Sequence, residues 1–114
     1  MTWDQSKSFC ERKGAILAEI KTANQMEAIL KKIAAEGLTK NFWLGIVYDT
    51  EKSNWVYASN NETTVFTYWS PGEPNNLGKE ICAEISYHFG NKWNNSNCKK
   101  NNWANNRVAL CQQA

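Results

Sequence analysis

Apolar residues in the first third of the chain recur at helical spacing, and each run opens on a capping pattern. Thr2-x-x-Gln5 has the form of a capping box, and Trp3, Ser6, Phe9, Cys10 and Lys13 follow on one face until Gly14 stops the run. Thr22-x-x-Gln25 repeats the pattern ahead of Met26, Ile29, Leu30, Ile33 and Ala34, an i, i+3, i+4, i+7, i+8 stripe, and Gly37 stands where a C-terminal cap belongs. Two helices are predicted, the second with its stripe on the core and its lysines and glutamates in water.

Beyond Lys40 the period changes. Short runs rich in aromatic and β-branched residues at 42–48, 55–57, 65–69, 81–87 and 107–111 predict strands. Residues 70–80 read Ser-Pro-Gly-Glu-Pro-Asn-Asn-Leu-Gly-Lys-Glu, whose prolines, glycines and asparagines predict a loop. Two helices followed by mostly antiparallel strands give an α+β class, and no repeat or linker divides residues 1–114, which are expected to form one domain.

Composition narrows the function. Net charge is +2 with 21% charged residues, neither the basic field of a nucleic-acid binder nor the charge of a disordered segment. No apolar run approaches the roughly 20 residues of a bilayer span, and the first ten residues lack a signal-peptide apolar stretch, so a soluble chain without membrane insertion is expected. The chain is amide-rich, with 15 asparagines against two aspartates, Asp4 and Asp49.

Cys10, Cys82, Cys98 and Cys111 include no close pair of the C-x2-C kind that zinc favours. Two disulfides are expected, and with them an oxidising, extracellular compartment. Three pairings are open. The nested one would tie the chain ends together and separately clip a short loop.

The catalytic inventory is thin. His88 is the sole histidine, and Glu73, Glu80 and Glu84 could be paired for acid/base work only without any sign of desolvation. An enzyme is not expected. Oxygen donors form a richer constellation: Glu73 and Asn75 flank Pro74, Glu80 follows, and Asn94 with Asn95 come after Trp93. Calcium takes six to eight such oxygens. An ion held by amides as well as carboxylates keeps charge enough to attract a vicinal diol, whose hydroxyls the same side chains can bond. Alternation along an extended segment biases Glu73 and Asn75 to one side, and a cis Glu73-Pro74 bond would tighten the turn.

Taken together, the chain resembles the C-type lectin domain over essentially its whole length. The landmarks are Trp3-x-x-Ser6-x-x-x-Cys10, Phe42-Trp43-Leu44-Gly45, the stretch from Trp69 to Asn75, Glu80-x-Cys82, Trp93-Asn94-Asn95-x-x-Cys98 and Cys111. Phe42-Trp43-Leu44-Gly45 resembles the family's WIGL motif, and Glu73-Pro74-Asn75 its mannose-type EPN tripeptide. The resemblance implies the nested pairing, Cys10 with Cys111 and Cys82 with Cys98. It implies one calcium ion held by Glu73, Asn75, Glu80, Asn94 and Asn95. Glu73, Asn75, Glu80 and Asn94 would also bond the sugar. Mannose, fucose, N-acetylglucosamine and glucose are the implied ligands; a galactose type would read QPD at 73–75.

This sequence departs from the family pattern in three places. Asn95 stands where the family has aspartate, which removes one carboxylate and predicts weaker calcium binding. Ile81 cannot coordinate, so the auxiliary calcium site is expected to be lost. Nothing precedes Thr2 to supply the N-terminal strand that most members pair with their last, implying a trimmed or unusually short member.

Two sequons, at Asn61 and Asn94, permit N-glycosylation. A glycan on Asn94 would block coordination, so Asn61, in the polar segment 59–64, is the expected acceptor. Residues 99–107, basic around Trp103, are a candidate for an extended sugar or partner contact. A single site of this kind binds weakly, so homo-oligomers are expected to supply avidity. The competing reading is a calcium-independent domain of the same fold that binds a protein, lipid or ice surface.

Overall fold

The computed structural model describes residues 1–100 and 107–114; Trp103 and most of the basic stretch around it lie outside the described residues. Helix α1 spans Trp3–Arg12, and its capping box is closed in both directions: Thr2 Oγ1 accepts from the Gln5 N–H at 3.2 Å and Gln5 Oε1 accepts from the Thr2 N–H at 3.0 Å. Helix α2 spans Ala23–Glu36 and ends on Gly37 at φ 61, the left-handed cap that a side chain would strain. Its stripe buries Met26 and Ile33, each worth roughly 1.5–3 kcal/mol of transfer free energy.

The strands are β1 (Ala15–Leu17), β2 (Asn41–Asp49), β3 (Asn54–Tyr57), β4 (Cys82–Ser86), β5 (Lys92–Ser96), β6 (Arg107–Ala109) and β7 (Cys111–Gln113), with a 3-10 turn at Tyr87–Phe89. One sheet has the order β3-β2-β4-β5, with β6 pairing β2 in parallel, and β1 pairs β7 separately. Side chains of β2 alternate between two buried clusters. Phe42, Leu44 and Ile46 pack with Met26 and Ile33 of α2, while Trp43 packs with Trp3, Cys10 and Leu17. Both faces of β2 are therefore covered, which is why its sequence reads as a nearly continuous apolar run. Gly45 sits where β1 crosses: its N–H donates to Ala18 O at 2.8 Å, and a Cβ there would stand 2.6 Å from Leu17 O. No other residue fits this approach.

Several expectations need correction. The run 65–69 is not a strand. Only an isolated bridge between Trp69 and Trp93 involves it, while Phe66, Tyr68 and Trp69 pack on the main core and Val65 is 76% exposed. The aromatic content there reflects packing, not a ladder. The run 107–111 is two strands, because the chain leaves β2 at Leu110 to pair with β1, and β6 makes the sheet mixed. Strands β1 and β5 were not expected. β1 is only three residues long, and β5 has Trp93 as its single apolar residue. The last strand, β7, pairs with β1, which follows the first helix. The pairing Cys10–Cys111 and Cys82–Cys98 is the nested one.

Candidate functional site

The segment 70–81 joins the core to β4 and is pinned at both ends. The Ser70 N–H donates to Trp93 O at 2.9 Å and the Tyr48 N–H to Ile81 O at 2.9 Å. Between them Gly72 and Asn76 take left-handed backbone at φ 84 and φ 50, and the Glu73–Pro74 bond is cis. Asn76 O receives the N–H groups of Lys79 and Glu80, both at 2.9 Å, closing a turn that returns Glu80 toward Glu73. Beneath the loop, Trp69 meets Trp93 edge-on at 5.6 Å and Trp55 at 4.8 Å, an aromatic floor.

Asn95, 1% exposed on β5, is the loop's internal fastener. Its Oδ1 accepts from the Asn75 N–H at 3.1 Å, and its Nδ2 donates to Glu80 O at 2.7 Å and to Asn75 O. Both amide protons and the carbonyl oxygen are thus engaged with main chain 15 and 20 residues away.

Glu73 is left in tension. Its Oε2 accepts from Asn75 Nδ2 at 3.1 Å, but Oε1 is closed off from solvent with no hydrogen-bond donor among the described residues. Burial, and then the charge of Glu80, hold its carboxyl above the ordinary carboxylate range. A raised value in the fold means that ionising Glu73 works against the structure as pH rises through it, unless positive charge answers. Glu80 Oε1 in turn accepts from Asn76 Nδ2 at 3.3 Å.

Asn94 faces away from Asn95, as neighbours on a strand do. Its Nδ2 donates to Glu84 Oε2 at 3.3 Å, and its carbonyl oxygen takes part in no hydrogen bond among the described residues. Glu84 is fully buried and ion-paired: Arg107 Nε donates to Oε1 at 2.8 Å and Nη2 to Oε2 at 3.2 Å, with Ser96 Oγ on Oε2 at 2.6 Å. Glu84 is thus desolvated, which nothing in the sequence marks, and Arg107, at the end of the 99–107 stretch, is no surface cation, because it is buried against Glu84 and the Trp43 ring, 5.6 Å away. Sequence reasoning missed both partners. Glu84 alternates with Ala83 and Ile85 as an outward-facing residue would, and Arg107 follows a run of asparagines.

The structure therefore gathers Glu73, Asn75, Glu80 and Asn95 at one loop and holds Asn94 from the side of a buried ion pair. His88 lies elsewhere, on the exposed turn beyond the Ser86 end of β4, whereas the loop enters at the Cys82 end. Among the described residues no three His, Cys, Asp or Glu side chains come together. A cation at the loop would have two carboxylates and must complete its shell with amide oxygens. That donor set, with a buried Glu73 oxygen lacking any donor, fits calcium and no nitrogen- or sulfur-seeking metal. Asn61 is exposed on a turn at φ 60, open to modification. No helix among the described residues is long and apolar enough to cross a membrane.

A family model described as the lectin C-type domain matches residues 1–112. CD209 antigen-like protein A of Mus musculus is 32% identical over 114 residues, covering 98% of this chain and 43% of that protein. The chain thus spans less than half the length of that relative. Among solved structures, a complex of SPL-1 with GlcNAc superposes with a TM-score of 0.76 at 24% identity, covering 87% of this chain and 73% of that one. SPL-2 from Saxidomus purpuratus, described as a Ca2+-independent C-type lectin, gives 0.74 at 22% identity over 87% and 72%.

Proposed function

Since the chain belongs to the C-type lectin domain family, whose members bind without catalysing a reaction, we propose that this carbohydrate-recognition domain binds mannose-type sugars in a calcium-dependent manner. The observation that carries the reading is Glu73 Oε1, buried beside Glu80 with no donor among the described residues. The ligands are Glu73, Asn75, Glu80 and, through its carbonyl oxygen, Asn94. Asn95 keeps the loop closed around them. Calcium bound there supplies the positive centre toward which two adjacent sugar hydroxyl oxygens turn. The Glu73 and Glu80 carboxylates accept from those hydroxyls, and Asn75 and Asn94 each have an amide proton beyond the one already spent on Glu73 or Glu84. Glu73-Pro74-Asn75 supports mannose, fucose, N-acetylglucosamine and glucose as ligands.

With two carboxylates, affinity for calcium falls in the weak range of extracellular modules, a Kd of about 10⁻⁴–10⁻³ M. The test is a calcium titration followed by tryptophan emission, with and without mannose. A change from Trp69 and Trp93, reversed by chelator, is expected; no response to either addition removes the reading. The paired substitution Glu73→Gln with Asn75→Asp should move preference from mannose to galactose on a glycan array. Unchanged mannose binding would take those two positions out of the site.

A second reading, a calcium-independent domain that binds a protein, lipid or ice surface, is favoured by the Asn95 amide being spent on the loop's own backbone. The same titration separates the two. The two disulfides support an oxidising, extracellular setting, and one weak site of this kind gains useful avidity from homo-oligomers or repeated display.

A further inference from the structure

We infer that Asn95 is an internal clamp that closes the sugar loop ahead of any ion, so that the fold of residues 73–80 does not depend on calcium. The inference deepens the reading just given and rests on it for the identity of this loop as the sugar-binding segment. Three hydrogen bonds carry it. The Asn95 amide donates to the carbonyls of Asn75 and Glu80 and accepts from the Asn75 N–H, joining the two ends of the loop through one buried side chain. Those carbonyls already point at a shared electropositive group, the Nδ2 protons.

The amide is also the group that allows the loop to close without a cation. An aspartate at position 95 would present an anionic oxygen in place of Nδ2, facing the carbonyl oxygens of Asn75 and Glu80 without a proton among them. Oxygens without protons repel around a side chain as buried as residue 95, and a cation relieves that repulsion. Asparagine and aspartate thus lead to different couplings. With asparagine the loop is assembled and calcium adds to it; with aspartate, loop closure and calcium binding become one event.

Amide hydrogen exchange resolved by residue tests this in chelator and in excess calcium. In the native chain the Asn75, Lys79 and Glu80 amides are expected to exchange slowly in chelator, changing by less than about threefold when calcium is added. Asn95→Asp should lose at least about tenfold protection at these amides in chelator, regain it in calcium, and bind calcium about tenfold more tightly for its added charge. If the native Asn75 amide is unprotected in chelator and gains tenfold or more on adding calcium, the ion and not Asn95 closes the loop. That measurement needs no variant to fold. Protection in chelator combined with no mannose binding in calcium would leave the clamp standing and defeat the sugar reading instead.

Discussion

Arg107→Met is expected to destabilise the fold by about 3–5 kcal/mol, the cost of leaving one member of a buried ion pair without its partner. Glu84 is 0% exposed, and Arg107 supplies two of the charge-assisted bonds to it. What remains is Ser96 Oγ, Asn94 Nδ2 and the distant Asn41 Nδ2 at 3.4 Å, all neutral donors. Those cannot offset a full negative charge in the interior. Methionine keeps the aliphatic stem but loses the guanidinium that stands 5.6 Å over the Trp43 ring, so the loss reports the charged head and its contacts more than packing. Glu84→Gln in the same chain should restore most of the loss, because a neutral pair no longer carries the desolvation penalty. Denaturant unfolding of both variants measures this. A single variant costing under about 1 kcal/mol would mean that water or another cation reaches Glu84.

The second large effect separates the two disulfides. Cys10 and Cys111 are 101 positions apart, Cys82 and Cys98 only 16. If the bridges act by restricting the unfolded chain, replacing the first pair with alanine costs about 4.7 kcal/mol and the second about 3. Midpoints of urea unfolding should fall in that order. The reverse order would show that the short bridge acts on the folded state, where Cys82 opens β4 directly after the 70–81 loop.

How much of this was readable in the sequence depended on the distance over which each feature is written. The helices were legible because their signals are local: Thr2 with Gln5, Thr22 with Gln25, and Gly37 all act within a turn of the residues they cap. Strand β5 was not, since Lys-Trp-Asn-Asn-Ser shows little apolar alternation and becomes a strand only by pairing with β4. The run 65–69 misled for the opposite reason, its aromatics being recruited by the core and not by a ladder. In the site, Glu73 and Asn75 were visible as two oxygens across a proline, and Glu80 as a carboxylate ahead of Cys82. The hydrogen bonds that Asn95 makes to the loop were invisible. Its partners are backbone atoms, which no side-chain motif records, and they lie 15 and 20 residues upstream. The Glu84–Arg107 pair spans 23 positions and leaves no local mark either.

The bridge between Cys10 and Cys111 also has a mechanical meaning. Tension applied between Met1 and Ala114 bypasses the five-stranded sheet and loads only α1 as far as Cys10 and strand β7. It runs along the nine residues before Cys10, across the covalent bond, and out through the three after Cys111. Fully drawn out, those segments yield only about 40 Å at the usual rise of an extended chain. The loop at residues 70–81 and Asn95 lie between the two cysteines, on a slack branch of the force path.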